Sequence, residues 1–172
     1  GAGKSEPWQA AEARTAPTIS IIMPCYNGAK HVERSILSVQ AQTRRDWELI
    51  VVDDGSTDGS WPLLAALSAI DTRIELLRQK NAGAAAARNR GLRAARGRFI
   101  AFLDADDTWD PRFLELMSAA LDDNPDAGIA YCGWQNVGLP GGQGLPFIPP
   151  STRHLRSLKP CCQDAAGPST GP

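Results

Sequence analysis

Between Thr18 and Cys132 short apolar runs alternate with stretches of helical periodicity, and no other feature limits the fold of this chain so strongly. Thr18-Ile19-Ser20-Ile21-Ile22-Met23 is rich in β-branched residues and ends at Pro24, which cannot continue a central ladder, so the reading stops a first strand there. Past the loop Cys25-Tyr26-Asn27-Gly28, the residues Val32, Ile36, Leu37 and Val39 predict an amphipathic helix reaching Gln42. Trp47 to Val52 is a second strand. Trp61, Leu64, Leu67 and Ile70 mark a helix in which Pro62 fits only the first turn. A short strand over Ile74 to Leu77 precedes an alanine-rich helix, Ala84 to Ala95, whose propensity is high despite Gly91. Phe99 to Leu103 is the next strand. Asp110 as N-cap and Pro111 at the first helical position then open a helix carrying Phe113, Leu114, Met117, Ala120 and Leu121, and Gly128 to Cys132 reads as one more strand. This order predicts an α/β fold, a mostly parallel Rossmann-like sheet with helices on both faces.

Two of the strands end abruptly in acids. Val52 runs into Asp53-Asp54-Gly55-Ser56-Thr57-Asp58, and Leu103 runs into Asp104-Ala105-Asp106-Asp107. Parallel strands present their C-terminal ends together, and open α/β sheets bind ligands at that edge. Carboxylates one residue apart in a constrained turn can converge on a hard cation, with phosphate oxygens and water completing its shell. The same acids would also suit a helix N-terminus with nothing bound, through the helix dipole, and Asp107 and Asp110 are read in that way. Asp53 is read as capping or orienting its own turn.

The formal net charge of −1 argues against a generic nucleic-acid or anionic-membrane binder, so an anionic ligand must be held locally. Cys25, Cys132, Cys161 and Cys162 form neither a CxxC pair nor a disulfide framework, which suggests a reducing, cytoplasmic setting. No apolar run approaches the roughly 20 residues of a membrane span. Residues 1–16 read as a loose leader, in which Gly1-Ala2-Gly3-Lys4-Ser5 lacks the strand and earlier glycine that a phosphate-binding loop requires. Residues 17–135 read as the folded domain. Residues 136–172, rich in glycine and proline and then polar, carry no periodic apolar pattern and are expected to order poorly alone.

Four motifs in order, Pro24-Cys25-Tyr26-Asn27, Val52-Asp53-Asp54-Gly55-Ser56-Thr57-Asp58, Asn81-Ala82-Gly83 with Ala87-Arg88-Asn89, and Leu103-Asp104-Ala105-Asp106, make the chain resemble the nucleotide-binding half of a family 2 glycosyltransferase. The resemblance implies the GT-A fold and an inverting, metal-dependent transfer of sugar from a nucleotide-sugar donor, with UDP expected, to a carbohydrate or lipid-linked acceptor. It places Asp54 on the uracil ring N–H, and Pro24 and Tyr26 against the base. It further assigns Arg88 to the nucleotide pocket, Asp104 to the neighbourhood of the ribose and a metal water, and Asp106 to Mn2+ or Mg2+. Read from the residues alone, Tyr26 could equally be strand-end packing and Arg88 a solvated helix face beside Arg90 and Arg93. The family's later general base and its Gln-x-x-Arg-Trp element have no counterpart here: Asp126 falls too early and Asp164 lies in the tail. The chain is therefore expected to be a donor-binding fragment, completed elsewhere or by a partner that could bring it to a membrane. A non-catalytic nucleotide-sugar module and a nucleotidyltransferase are the alternatives, the second lacking a lysine-bearing triphosphate loop.

Overall fold

The structure, a computed structural model, describes residues 16–136. Eight elements follow one another: β1 (Ile19–Cys25), α1 (Val32–Gln40), β2 (Trp47–Asp53), α2 (Ser60–Ile70), β3 (Ile74–Arg78), α3 (Ala84–Ala94), β4 (Phe99–Phe102) and α4 (Phe113–Asp123). The strands form one sheet in the order β3-β2-β1-β4, and every pairing is parallel. The α/β architecture expected from the alternation is the one observed. The leader and tail lie outside the described residues, apart from Ala16 and Asn136.

Both faces of the sheet are covered, so its central strands read as nearly unbroken apolar runs. Ile21, Met23, Leu49 and Val51 pack on one face with Val32, Ile36 and Val39 of α1, Leu64 of α2 and Leu114 of α4. Ile50 and Val52 meet Ala87 of α3 on the other. There Gly91 does specific work: a Cβ at this position would lie 2.5 Å from Ile22 Cγ2, so only glycine lets α3 approach β1. Its low helix propensity is the cost of that approach.

Three local expectations are corrected. Strand β1 does not stop before Pro24 but runs through it, with Pro24 in register with Val52. The carbonyls of Thr18 and Ile22 accept from Phe99 and Leu103 of the β4 side, whereas Cys25 O accepts from Asp54 N on the β2 side. Pro24 therefore turns its missing N–H toward β4, which has ended at Phe102, and no ladder bond is lost. Helix α4 begins at Phe113, not at Pro111; Asp110 Oδ1 accepts from Arg112 N and Asp110 O from Phe113 N, which closes a separate turn one step earlier. Gly128 to Cys132 is not a strand, and instead of joining the ladder this stretch lines an apolar groove beside Phe99 to Phe102 and α4.

Candidate functional site

The C-terminal ends of β1, β2 and β4 meet at one edge, and a cavity of about 300 Å³ opens there. All six residues singled out from the sequence, Pro24, Tyr26, Asp54, Arg88, Asp104 and Asp106, line it. Pro24 is the next-to-last residue of β1, Tyr26 and Asp54 follow β1 and β2 directly, and Arg88 comes from the second turn of α3.

Asp54 is buried and heavily bonded. Its Oδ1 accepts from Gln79 Nε2 at 2.7 Å and from Ala82 N at 2.9 Å, and its Oδ2 accepts from Gly83 N at 2.8 Å. Burial alone would raise the Asp54 pKa, but these three donors outweigh it and hold the group below the usual carboxylate range. Gly83 N can reach Oδ2 because Gly83 adopts φ +90°, which a side chain would resist. An ionised carboxylate has about four acceptor positions, so one position on Oδ2 remains.

Its neighbour Asp53 behaves otherwise than expected. It is fully buried, and both of its carboxylate oxygens lack a hydrogen-bond partner. Arg78 Nε stands 3.1 Å from Oδ2 as an ion-pair partner without hydrogen-bond alignment. The side chain therefore caps no turn, and the Asp53 carbonyl accepts from Gln79 N as the last rung between β2 and β3.

The acidic turn after β4 is anchored by its backbone to α1: Ser35 Oγ donates to Ala105 O and Arg34 Nη2 to Asp106 O. The carboxylates of Asp104 and Asp106 are thereby left to face the cavity. Arg88 reaches across and donates to Asp104 Oδ1, a contact that sequence reasoning did not foresee. Desolvation in the turn, followed by the charges of Asp106 and Asp104, raises the Asp107 pKa above the usual carboxylate range. Negative charge is thus concentrated where a cation would relieve it. Among the described residues no three His, Cys, Asp or Glu groups gather into a ready-made cage. The donor set suits a Mg2+- or Mn2+-type ion that takes one or two carboxylates and completes its shell with phosphate and water.

Sequence reasoning missed Asn27, Gly28 and His31, which also line the cavity. His31 sits at the N-cap position of α1 and gave no periodic signal. Asn27 stands in the first of the four motifs, but its reach to the loop after β2 is not legible there. Cys25 also borders the cavity, and burial pushes its thiol up to about 11, which disfavours the thiolate. Asp126 lies in the turn after α4, away from this cavity, and Asp164 lies outside the described residues.

The chain is similar to known proteins in sequence and in fold. A model of Glycosyl transferase family 2 matches residues 20–159. TuaG of Bacillus subtilis (strain 168) is 45% identical over 100 residues, 58% of this chain and 40% of that protein. WfgD of Escherichia coli, a UDP-Glc:alpha-D-GlcNAc-diphosphoundecaprenol beta-1,3-glucosyltransferase, is 39% identical over 144 residues, 83% of this chain and 56% of its own. The chain thus spans about half the length of the curated relatives it matches. Among solved structures, Staphylococcus aureus TarS 1-349 in complex with UDP superposes with a TM-score of 0.58 at 27% identity, over 63% of this chain and 33% of that one. The mannosyltransferase PcManGT from Pyrobaculum calidifontis, in complex with GDP-Man and Mn2+, gives 0.51 at 29% identity, over 60% and 32%.

Proposed function

Because the chain belongs to glycosyl transferase family 2, with the GT-A fold, we propose that it is the donor-binding part of a metal-dependent, inverting glycosyltransferase that uses a UDP-sugar. The observation that carries this reading is the convergence of Tyr26, Asp54, Arg88, Asp104 and Asp106 on one cavity at the carboxyl edge of the sheet. Tyr26, half-exposed at the cavity, offers a ring face for the base, and Pro24 supports it. The remaining acceptor position of Asp54 takes the uracil ring N–H. Arg88 leaves Asp104 for a phosphate oxygen when the diphosphate arrives, since a guanidinium is matched to that geometry and the pair is partly exposed to solvent.

Asp106, with Asp104 behind it, would hold the divalent cation. Bound there, Mn2+ or Mg2+ supplies neutralisation of the diphosphate as the glycosidic bond breaks. The acceptor hydroxyl must lose its proton to a general base during an inverting displacement. None of the described carboxylates outside Asp54, Asp104 and Asp106 lines the cavity, so the base is assigned to no residue here. On this reading the acceptor is a carbohydrate or a lipid-linked saccharide, and the diphosphoundecaprenol-linked GlcNAc in the name of WfgD supports that class. Among the described residues no helix is long and apolar enough to cross a membrane. A site at the cytoplasmic membrane face, reached through other parts of the assembly, accords with a lipid-linked acceptor.

Calorimetric titration tests the reading. UDP should bind in the presence of Mn2+, and CDP, whose ring nitrogen carries no proton, should bind more weakly. GDP is the second control, because PcManGT is seen with GDP-Man. Asp106→Ala, at an exposed position, should abolish the metal dependence with the fold intact. Equal affinity in wild type and variant would remove Asp106 as a ligand, and failure of wild type to bind any nucleotide would remove the donor-site reading.

A further inference from the structure

Tyr26 and Asp54 belong to different loops, and a planar base can use both only if the loops keep a fixed spacing. The structure shows how that spacing is held. Asn27 N donates to Ser56 Oγ at 2.9 Å, and Asn27 Oδ1 accepts from Thr57 N at 2.9 Å and Asp58 N at 3.3 Å. In the reverse direction Asp58 Oδ2 accepts from Ala29 N at 3.1 Å, while its Oδ1 is bound by the backbone N–H and hydroxyl of Ser60. Two loops about 30 residues apart in sequence are thus clasped from both sides. Asn27 takes φ +51°, the only positive φ among the described residues that are not glycine. Glycine would satisfy that backbone at less cost, so the turn alone does not call for an amide. The amide is needed for the bonds to the second loop.

Resting on the donor-site reading above, we propose that Asn27 is a positioning residue for nucleobase selection: with Asp58 it sets the spacing between Tyr26 and Asp54. Thr57, Asp58 and Asn27 are exposed, so the clasp lies at the cavity rim and adds little to the core. Its loss should be felt in recognition before stability. Displacing binding groups by even about 1 Å can cost on the order of a hundredfold in function, so a loosened rim is readily measured.

Asn27→Gly keeps the left-handed backbone and removes the acceptor; Asn27→Asp keeps the acceptor; Asp58→Ala cuts the opposite half. Each is titrated with UDP and CDP in the presence of Mn2+, and its melting temperature is recorded. The expected result for Asn27→Gly and Asp58→Ala is a loss of UDP affinity on the order of tenfold, a smaller loss for CDP and an unchanged melting temperature. Asn27→Asp should recover most of the UDP preference. An unchanged UDP to CDP ratio in Asn27→Gly overturns the proposal, and so does an equal loss for both nucleotides accompanied by a lower melting temperature, which marks an ordinary structural role. Wild type failing to bind UDP is a different failure, that of the donor-site reading itself.

Discussion

At Asp54, three acceptor positions already serve Gln79, Ala82 and Gly83, so the same carboxylate builds the loop and lines the cavity. Substituting it therefore has two separable effects. Asp54→Asn retains the shape but turns an NH2 toward either the loop donors or the base, losing a hydrogen bond to a charged acceptor. Such a bond is worth about 1.5–3 kcal/mol, so UDP affinity should fall roughly tenfold or more, and the preference over CDP should shrink. A titration in which selectivity survives would leave Asp54 with its structural role alone. Asp53, one residue earlier, carries the opposite lesson. Of the two adjacent acids the sequence reading gave Asp53 a capping role in its own turn and, through the resemblance, gave Asp54 the base. Strand alternation turned one into the interior toward Arg78 and the other into the site.

Elements meet their neighbours at positions a local reading cannot rank. Gly91 looked like a weakness in an alanine-rich helix, and packing makes it the contact that seats α3 on β1. Gly91→Ala should lower stability by about 1–3 kcal/mol despite raising helix propensity, because Ile22 lies in the path of the new methyl. A rise in melting temperature would show that α3 can shift outward freely. Glu48 is comparable on β2: buried, it accepts from Ser20 Oγ at 2.6 Å and from Arg96 Nε at 2.9 Å, tying β1, β2 and the end of α3 together. Glu48→Ala should cost about 1–3 kcal/mol in chemical denaturation, since a buried hydroxyl and a guanidinium lose a charged acceptor. Where the element readings erred, tertiary context decided. Pro24 is tolerated because its strand neighbour has ended, and residues 128–132 do not form a strand because they lie along the groove rather than pairing with β4.

For the whole molecule, acid is the clearest stress. Burial would raise Glu48 and Asp54, but hydrogen bonds from Ser20 and Arg96 to one, and from the 79–83 loop to the other, hold both below their ordinary range. Asp71 is lowered too, first by its bonds with Arg73. Each group binds its proton less readily in the fold than in the unfolded chain. Their contribution is therefore complete above the unfolded carboxyl values near 4 and is lost as pH falls through and below them. Melting temperatures should be level from about pH 5 to 7 and drop toward pH 3; a flat profile would show that these carboxylates do not set acid stability.

The order of elements and the parallel sheet could be read from the chain, because apolar periodicity and abrupt acidic strand ends are local signals, while the resemblance to a known family singled out six of the residues that line the cavity. Those signals sufficed to place the site at the carboxyl edge, since parallel strands can only present their C-terminal ends together. Only the tertiary structure decided which acid is buried with Arg78, that Arg88 pairs with Asp104, and that Asn27 and Asp58 bind the two loops to each other. Each of these depends on distances between residues far apart in sequence, and hydrogen bonds and ion pairs are made or lost over fractions of an ångström, a scale that sequence pattern does not encode.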